Sequence, residues 1–355
     1  MLKDNRYFMI GTVLYDKNDI FMLRKYMDNL GQEEIENSKV KPVLPFNNLF
    51  LNIGVVEGGN KLWMYLFGIA LTVLAYLVIG GIMIMPLLSR ALKMGVTQAE
   101  LVANQYIVFD PVRLGIDKNI ILIIQFGLFV AAFIGLYMAV KLIHRKRFLS
   151  LITAFEKFRY KQFFFAFSLW AILLIIAVIV SYSTNSDDMV LQFNLPKFML
   201  LFLVCIVFLP IQTLTEEVFF RGYLLQGLSQ IFKNGVVPLI ITSFLFGTAH
   251  MSNPETSAYG SGLMLTYYVV FALVLGAITL LNEGLELAYG IHLANNLISA
   301  LTITSENSVL KTDAIFFVRS ENAAAELVLA FCSLLAVFVV FWFKYRWKNF
   351  SLILK

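Results

Sequence analysis

The chain has 355 residues, 59% of them hydrophobic and 14% charged, with 33 phenylalanines and a net charge of +5. Soluble domains are about half apolar and about a quarter charged, so this composition belongs in a bilayer. It excludes a disordered chain, a small secreted scaffold and a nucleic-acid-binding domain. The two cysteines, Cys205 and Cys332, lie inside apolar runs and read as small buried hydrophobes, not as a disulfide or metal framework.

Residues 1–61 carry eight basic and eight acidic side chains, and the first long apolar run starts only at Leu62, so no signal peptide is expected. The mixed stretch from Tyr7 to Leu30 suits the cytoplasm or the membrane surface, and Pro42 and Pro45 break any helix. A hydrocarbon core of about 30 Å takes about 20 helical residues. Uncharged stretches of 28 residues between Lys61 and Arg90, 22 between Lys118 and Lys141, and 25 between Lys161 and Asp187 can each cross. A fourth, of 18 residues between Lys197 and Glu216, contains Pro210, which is expected to kink or break it. Apolar segments at 236–250, 262–281, 287–304 and 324–343 follow, each interrupted or bordered by Glu, His, Asn or Arg. The expected fold is an all-α polytopic membrane helix bundle of about eight transmembrane helices. It divides into the N-terminal segment (1–61), three helices (62–190), a polar-studded core (191–344) and a basic tail (345–355).

With both ends on one side, nineteen Lys and Arg collect on that side and seven on the other. The positive-inside rule then puts both termini in the cytoplasm. The basic loop 142–161 reads as membrane-flanking, with no nucleic-acid partner, and Lys344–Lys348 as an interfacial anchor.

Ionisable groups at membrane depth cost about 2.5–3.5 kcal/mol each on insertion scales, so they mark function by default. Two of the three histidines, His250 and His292, lie in apolar segments, as do Glu216, Glu217 and Arg221. On a helix Glu217 and Arg221 stand one turn apart with the acid first, the favourable order for an ion pair. Glu216 is rotated by about 100° and is left over. A spare buried carboxylate suits a general base, although a plain ion-pair network accounts for the same residues. A turn at Lys233–Gly235 would bring His250 to the depth of the glutamates. His292 and Asn296 share a helix face, where they could hold an oxyanion, fix a tautomer or glue helices together. Glu286 reads as a solvated charge at a helix end.

Glu216-Glu217-x-x-x-Arg221, Phe246-x-x-x-His250 and His292-x-x-x-Asn296, in this order over about 80 residues, resemble the three motifs of the CAAX protease and bacteriocin-processing family of intramembrane endopeptidases. The resemblance implies that Glu216 activates water with His250 sharing that role, that Glu217 with Arg221 supports the site, and that His292 and Asn296 stabilise the oxyanion. It implies no cofactor, a peptide or membrane-protein substrate and, for a chain of this plain design, the bacterial cytoplasmic membrane. Two alternatives stand beside it. Glu216, His250 and His292 would make a two-histidine, one-carboxylate zinc site with an open position, although no H-E-x-x-H is present. A non-catalytic scaffold or transporter would use the same polar groups as glue or relay.

Overall fold

The computed structural model describes residues 7–10, 13–16, 45–184, 187–320, 322–348 and 350–354. Each of the eight apolar segments is helical over most of its length. Six are long and apolar enough to cross a membrane: α1 (Leu62–Lys93), α2 (Lys118–Ile143), α3 (Tyr160–Thr184), α4 (Leu195–Phe232), α6 (Ser261–Asn282) and α8 (Ala323–Tyr345). The other two are shorter, α5 (Val236–Ala249) with 14 residues and α7 (Glu286–Thr302) with 17. The protein is therefore an all-α polytopic bundle, and the two short helices carry the second and third motifs.

The long helices turn isoleucine, leucine and phenylalanine outward, among them Phe67 and Ile82 on α1, Ile179 on α3, Leu203 on α4 and Leu335 on α8. Such faces are stable only against lipid. Cys205 is buried, whereas Cys332 faces outward from α8, contrary to its expected burial; against lipid a thiol costs no more than an alanine. α7 is the enclosed element. It packs on α3 and α4, with Tyr289 and Leu293 set among Leu122, Phe126, Leu201 and Leu209. Gly290 permits the close crossing with α3, because a Cβ there would stand 2.5 Å from the Phe163 carbonyl oxygen.

Pro210 does not break α4. The helix runs through it, and the Pro210 carbonyl accepts a hydrogen bond from Tyr289 Oη at 3.0 Å. The departure from α geometry comes later, in a π-helical turn at Val218–Leu224 that begins directly after the paired glutamates. Such turns are rare and concentrate at functional sites.

The two ends of the bundle differ. At one, a three-stranded sheet of order β3-β5-β4 ties the loops together. β5 (Phe316–Val318) lies antiparallel to β3 (Met189–Leu191), with Met189 opposite Val318, and parallel to β4 (Ile303–Ser305), with Ile303 opposite Phe316. A separate hairpin pairs β1 (Tyr7–Ile10) with β2 (Val13–Asp16) antiparallel. The rest of the expected surface stretch up to Leu30, with Pro42, lies outside the described residues.

At the opposite end the connection 144–159 folds back under the helices. Ala154 N–H donates to the Glu283 carbonyl (3.1 Å), and Leu285 N–H donates to that of Ile152 (2.7 Å). This overturns the reading of Glu286 as a solvated charge. It is fully buried, accepting from Arg159 Nη2 at 2.6 Å and Nε at 3.0 Å, at the helix N-terminus where an acid is favoured. The tail also docks: Trp347 packs on Phe338 and Phe341, and the Leu352 carbonyl accepts from Asn48 Nδ2 at 3.1 Å.

Lys146 is buried in this same connection, donating to the Gly54 carbonyl (3.0 Å) and to Tyr65 Oη (3.3 Å). Burial pushes its ammonium down from 10.5 to about 7, against the pull of the Glu57 carboxylate. Between those values the unfolded chain holds the proton that the folded chain has lost. Stability therefore rises with pH across this window, by up to about 1.4 kcal/mol per unit, and levels off below the folded value, where both states hold the proton. Lys146→Met is expected to flatten that rise in thermal unfolding between pH 7 and 10 in lipid nanodiscs. Parallel curves for the two proteins would contradict it.

Candidate active site

The first motif sits where α4 changes from α to π geometry. Glu217 is completely buried and Arg221 is 2% exposed; Arg221 Nη1 donates to Glu217 Oε1. The guanidinium also lies over the Phe246 ring, 4.8 Å from its centroid. Removing two such charges from water is tolerable only because each neutralises the other. Glu216 has a different environment. Its side chain is 11% exposed, Oε2 stands 3.5 Å from His292 Nε2, and it faces the cavity described below. Of the two carboxylates, Glu217 is tied to Arg221 and Glu216 is not.

His292 adds a contact that spacing did not reveal. Its Nδ1 lies 2.6 Å from Glu217 Oε1, so the ring stands between the two glutamates. With the Nδ1 proton given to Glu217, the tautomer is set and Nε2 points to the Glu216 side. One turn on, Asn296 Nδ2 donates to Gln212 Oε1 at 3.1 Å, and Asn296 Oδ1 accepts from Asn295 Nδ2 at 3.3 Å. An amide nitrogen carries two protons, so one remains for a substrate oxygen. Gln212 and Asn295 were missed from sequence. The signal for Gln212 was present, a carboxamide one turn before Glu216 in an otherwise apolar run.

His250 closes the second motif at the C-terminal end of α5. Lys233 adopts the left-handed conformation that ends the preceding helix, so the turn expected at 233–235 is where α5 reverses direction. The imidazole contacts the rings of Phe246 (centroids 4.4 Å apart, planes at 34°) and Tyr268 (4.5 Å, 29°). Its Nδ1 lies 2.7 Å from the Phe246 carbonyl oxygen. That acceptor leaves Nε2 with a lone pair for proton transfer.

Glu216, His250, His292 and Asn296 all line one cavity of about 1730 Å³, with Gln212 and Asn295. The cavity reaches the strand-bearing end of the bundle, where Asp188, Ser305, Asn307 and Ser320 also line it. Glu217 and Arg221 sit behind its wall. Among the described residues, no three His, Cys, Asp or Glu side chains are grouped so as to hold a metal ion.

A carboxylate- and imidazole-lined cavity within a helical membrane bundle defines a class, and sequence comparison agrees with it. Residues 196–298 match the family model described as Rce1-like, type II CAAX prenyl endopeptidase. Over 258 residues, 72% of this chain and 82% of the relative, the sequence is 30% identical to the uncharacterized protein YyaK of Bacillus subtilis (strain 168). No solved structure matches the chain. The chain belongs to the CAAX protease and bacteriocin-processing family, as a multi-pass membrane protein of peptidase type.

Proposed function

We propose that the protein is an intramembrane endopeptidase that hydrolyses peptide bonds of a membrane-associated peptide or protein, using water activated by Glu216 and His250. The observation that carries this reading is the opening of the spare carboxylate, His250 Nε2 and the Asn296 amide into one cavity, while Glu217 and Arg221 are spent on each other. Glu216 takes a proton from water, which attacks the scissile carbonyl, and His250 shares the proton transfer to the leaving nitrogen. The tetrahedral oxyanion is met by the free Asn296 N–H and by His292, whose ring is oriented by its Nδ1 contact with Glu217. Residues 191–344 form the protease core on this reading, both termini are cytoplasmic, and the membrane is the bacterial cytoplasmic one.

The oxyanion role has a kinetic signature. Losing one donor that acts in the transition state lowers turnover by about 10²–10³ with little change in KM. Asn296→Ala is expected to behave so, and Asn296→Asp to be slower still, since a carboxylate repels the developing charge. The zinc alternative predicts the reverse for Asn296→Asp, which would add a ligand, and joint loss of metal and activity in His292→Ala. Single-turnover cleavage with metal content measured in parallel separates them: an active Asn296→Asp with stoichiometric zinc would overturn the glutamate mechanism.

A further inference from the structure

The cavity wall has one sign. Apart from the two histidines, its charged residues are Asp188, Glu216, Glu255 and Glu326, and no lysine or arginine is among the described residues that line it. The chain as a whole has the opposite bias, with 28 Lys and Arg against 23 Asp and Glu. A low-dielectric cleft lined by one sign focuses that field onto whatever enters.

Glu255 is the wall carboxylate placed for recognition. It sits in the short helix Pro254–Tyr259, directly after the second motif. Its Oε1 accepts from Tyr268 Oη at 2.8 Å and from Asn253 Nδ2 at 3.3 Å, and Tyr106 Oη in turn donates to Asn253 Oδ1 at 2.8 Å. Its Oε2 is buried without a hydrogen-bond partner. Three separate parts of the chain therefore fix this carboxylate by one oxygen and leave the other open. Tyr268 is also the ring that stacks on His250, with centroids 4.5 Å apart, so one side chain touches both Glu255 and the proposed catalytic imidazole. A carboxylate oxygen buried with no hydrogen-bond partner is costly and gains from a cation brought by a ligand.

We propose that the cavity selects a cationic peptide segment, with an ammonium or guanidinium group seated on Glu255 next to the scissile bond. This rests on the protease reading of the same cavity and adds the substrate class. It disfavours segments with acidic residues, or a free C-terminal carboxylate, at that position. The cation comes either from a lysine or arginine side chain or from a free N-terminal amine.

The test is equilibrium binding of fluorescent decapeptides to the full-length Glu216→Gln chain, which should bind without turnover, in phosphatidylcholine nanodiscs that carry no net charge. Three peptides of matched hydrophobicity are used: N-acetylated with two central lysines, N-acetylated with two central glutamates, and neutral with a free N-terminus. The lysine peptide is expected to bind about tenfold or more tighter than the glutamate peptide, with the difference shrinking as salt is raised. Adding Glu255→Gln is expected to bring the two dissociation constants within about threefold of each other. Tight binding of the free-N-terminus peptide alone, lost in the same variant, would assign the cation to the α-amine. Equal binding of all three peptides to the Glu216→Gln chain overturns the proposal without any further variant, and so does a preference that survives Glu255→Gln. Cleavage without charge preference removes this inference and leaves the protease reading intact, whereas charge preference without any cleavage does the opposite.

Discussion

Glu216→Gln is expected to leave a folded, membrane-inserted protein whose peptide cleavage is slower by about 10²–10⁴, the range a positioned general base contributes. The glutamine keeps the shape and hydrogen-bonding reach of the side chain and removes only the basic oxygen. The closer ion pairs are kept, because Arg221 and His292 Nδ1 are both held by Glu217, and only the 3.5 Å contact of Glu216 Oε2 with His292 Nε2 loses its charge. Thermal unfolding should therefore match wild type or exceed it, since a buried charge disappears. Wild-type cleavage by this variant would remove Glu216 from the mechanism and leave the cavity's polar groups as helix glue. A scaffold or transporter would keep its cellular role in the same variant, which separates the non-catalytic reading in one experiment.

The second large effect is structural. Glu217→Ala leaves the Arg221 guanidinium, 2% exposed, with no carboxylate, and strands the Nδ1 proton of His292 as well. Breaking a buried pair from one side costs about 3–5 kcal/mol, so Glu217→Ala and Arg221→Ala should both express poorly or unfold at lower temperature than Glu216→Gln. A double change to Glu217→Leu and Arg221→Met should recover much of the loss, because well-packed apolar residues commonly replace a buried pair at little net cost. It would still lack the anchor that orients His292 and should remain slow. Equal thermal stability of the three single variants would show that Glu216 and Glu217 are interchangeable, against the geometry.

The sequence made this much legible because the bilayer penalises what it encloses. Apolar length located eight helical segments, six of them long enough to cross a membrane, and the ionisable residues inside them mark the candidate site, since each must be satisfied or functional. The pairing of Glu217 with Arg221 followed from helical periodicity alone. What stayed hidden required knowing which helices meet. The bridge from His292 to Glu217 joins α7 to α4, the Gln212–Asn296 bond joins the same two helices, and Arg159 reaches Glu286 from a loop that folds back 127 positions away. Glu286 was misread for this reason, as a charge near a helix end looks solvated until something covers it. Pro210 misled in the opposite way: a missing N–H weakens a helix, but packing against Tyr289 holds it.

The shortness and enclosure of α7 bear on how the protein is made. A 17-residue helix carrying Glu286, His292, Asn295 and Asn296 is a poor candidate for release into lipid by itself. The long helices can leave the insertion machinery singly and wait in the bilayer, but α7 gains a favourable environment only once α3 and α4 are present to receive its polar side. Assembly of the bundle is thus expected to be ordered, with the element bearing the third motif docking after its partners. Until it does, Glu217 and Arg221 have each other but no His292, and the residues of the proposed catalytic site stand apart. On the protease reading, activity would in this way be withheld from the nascent protein and from any copy whose helices have failed to come together.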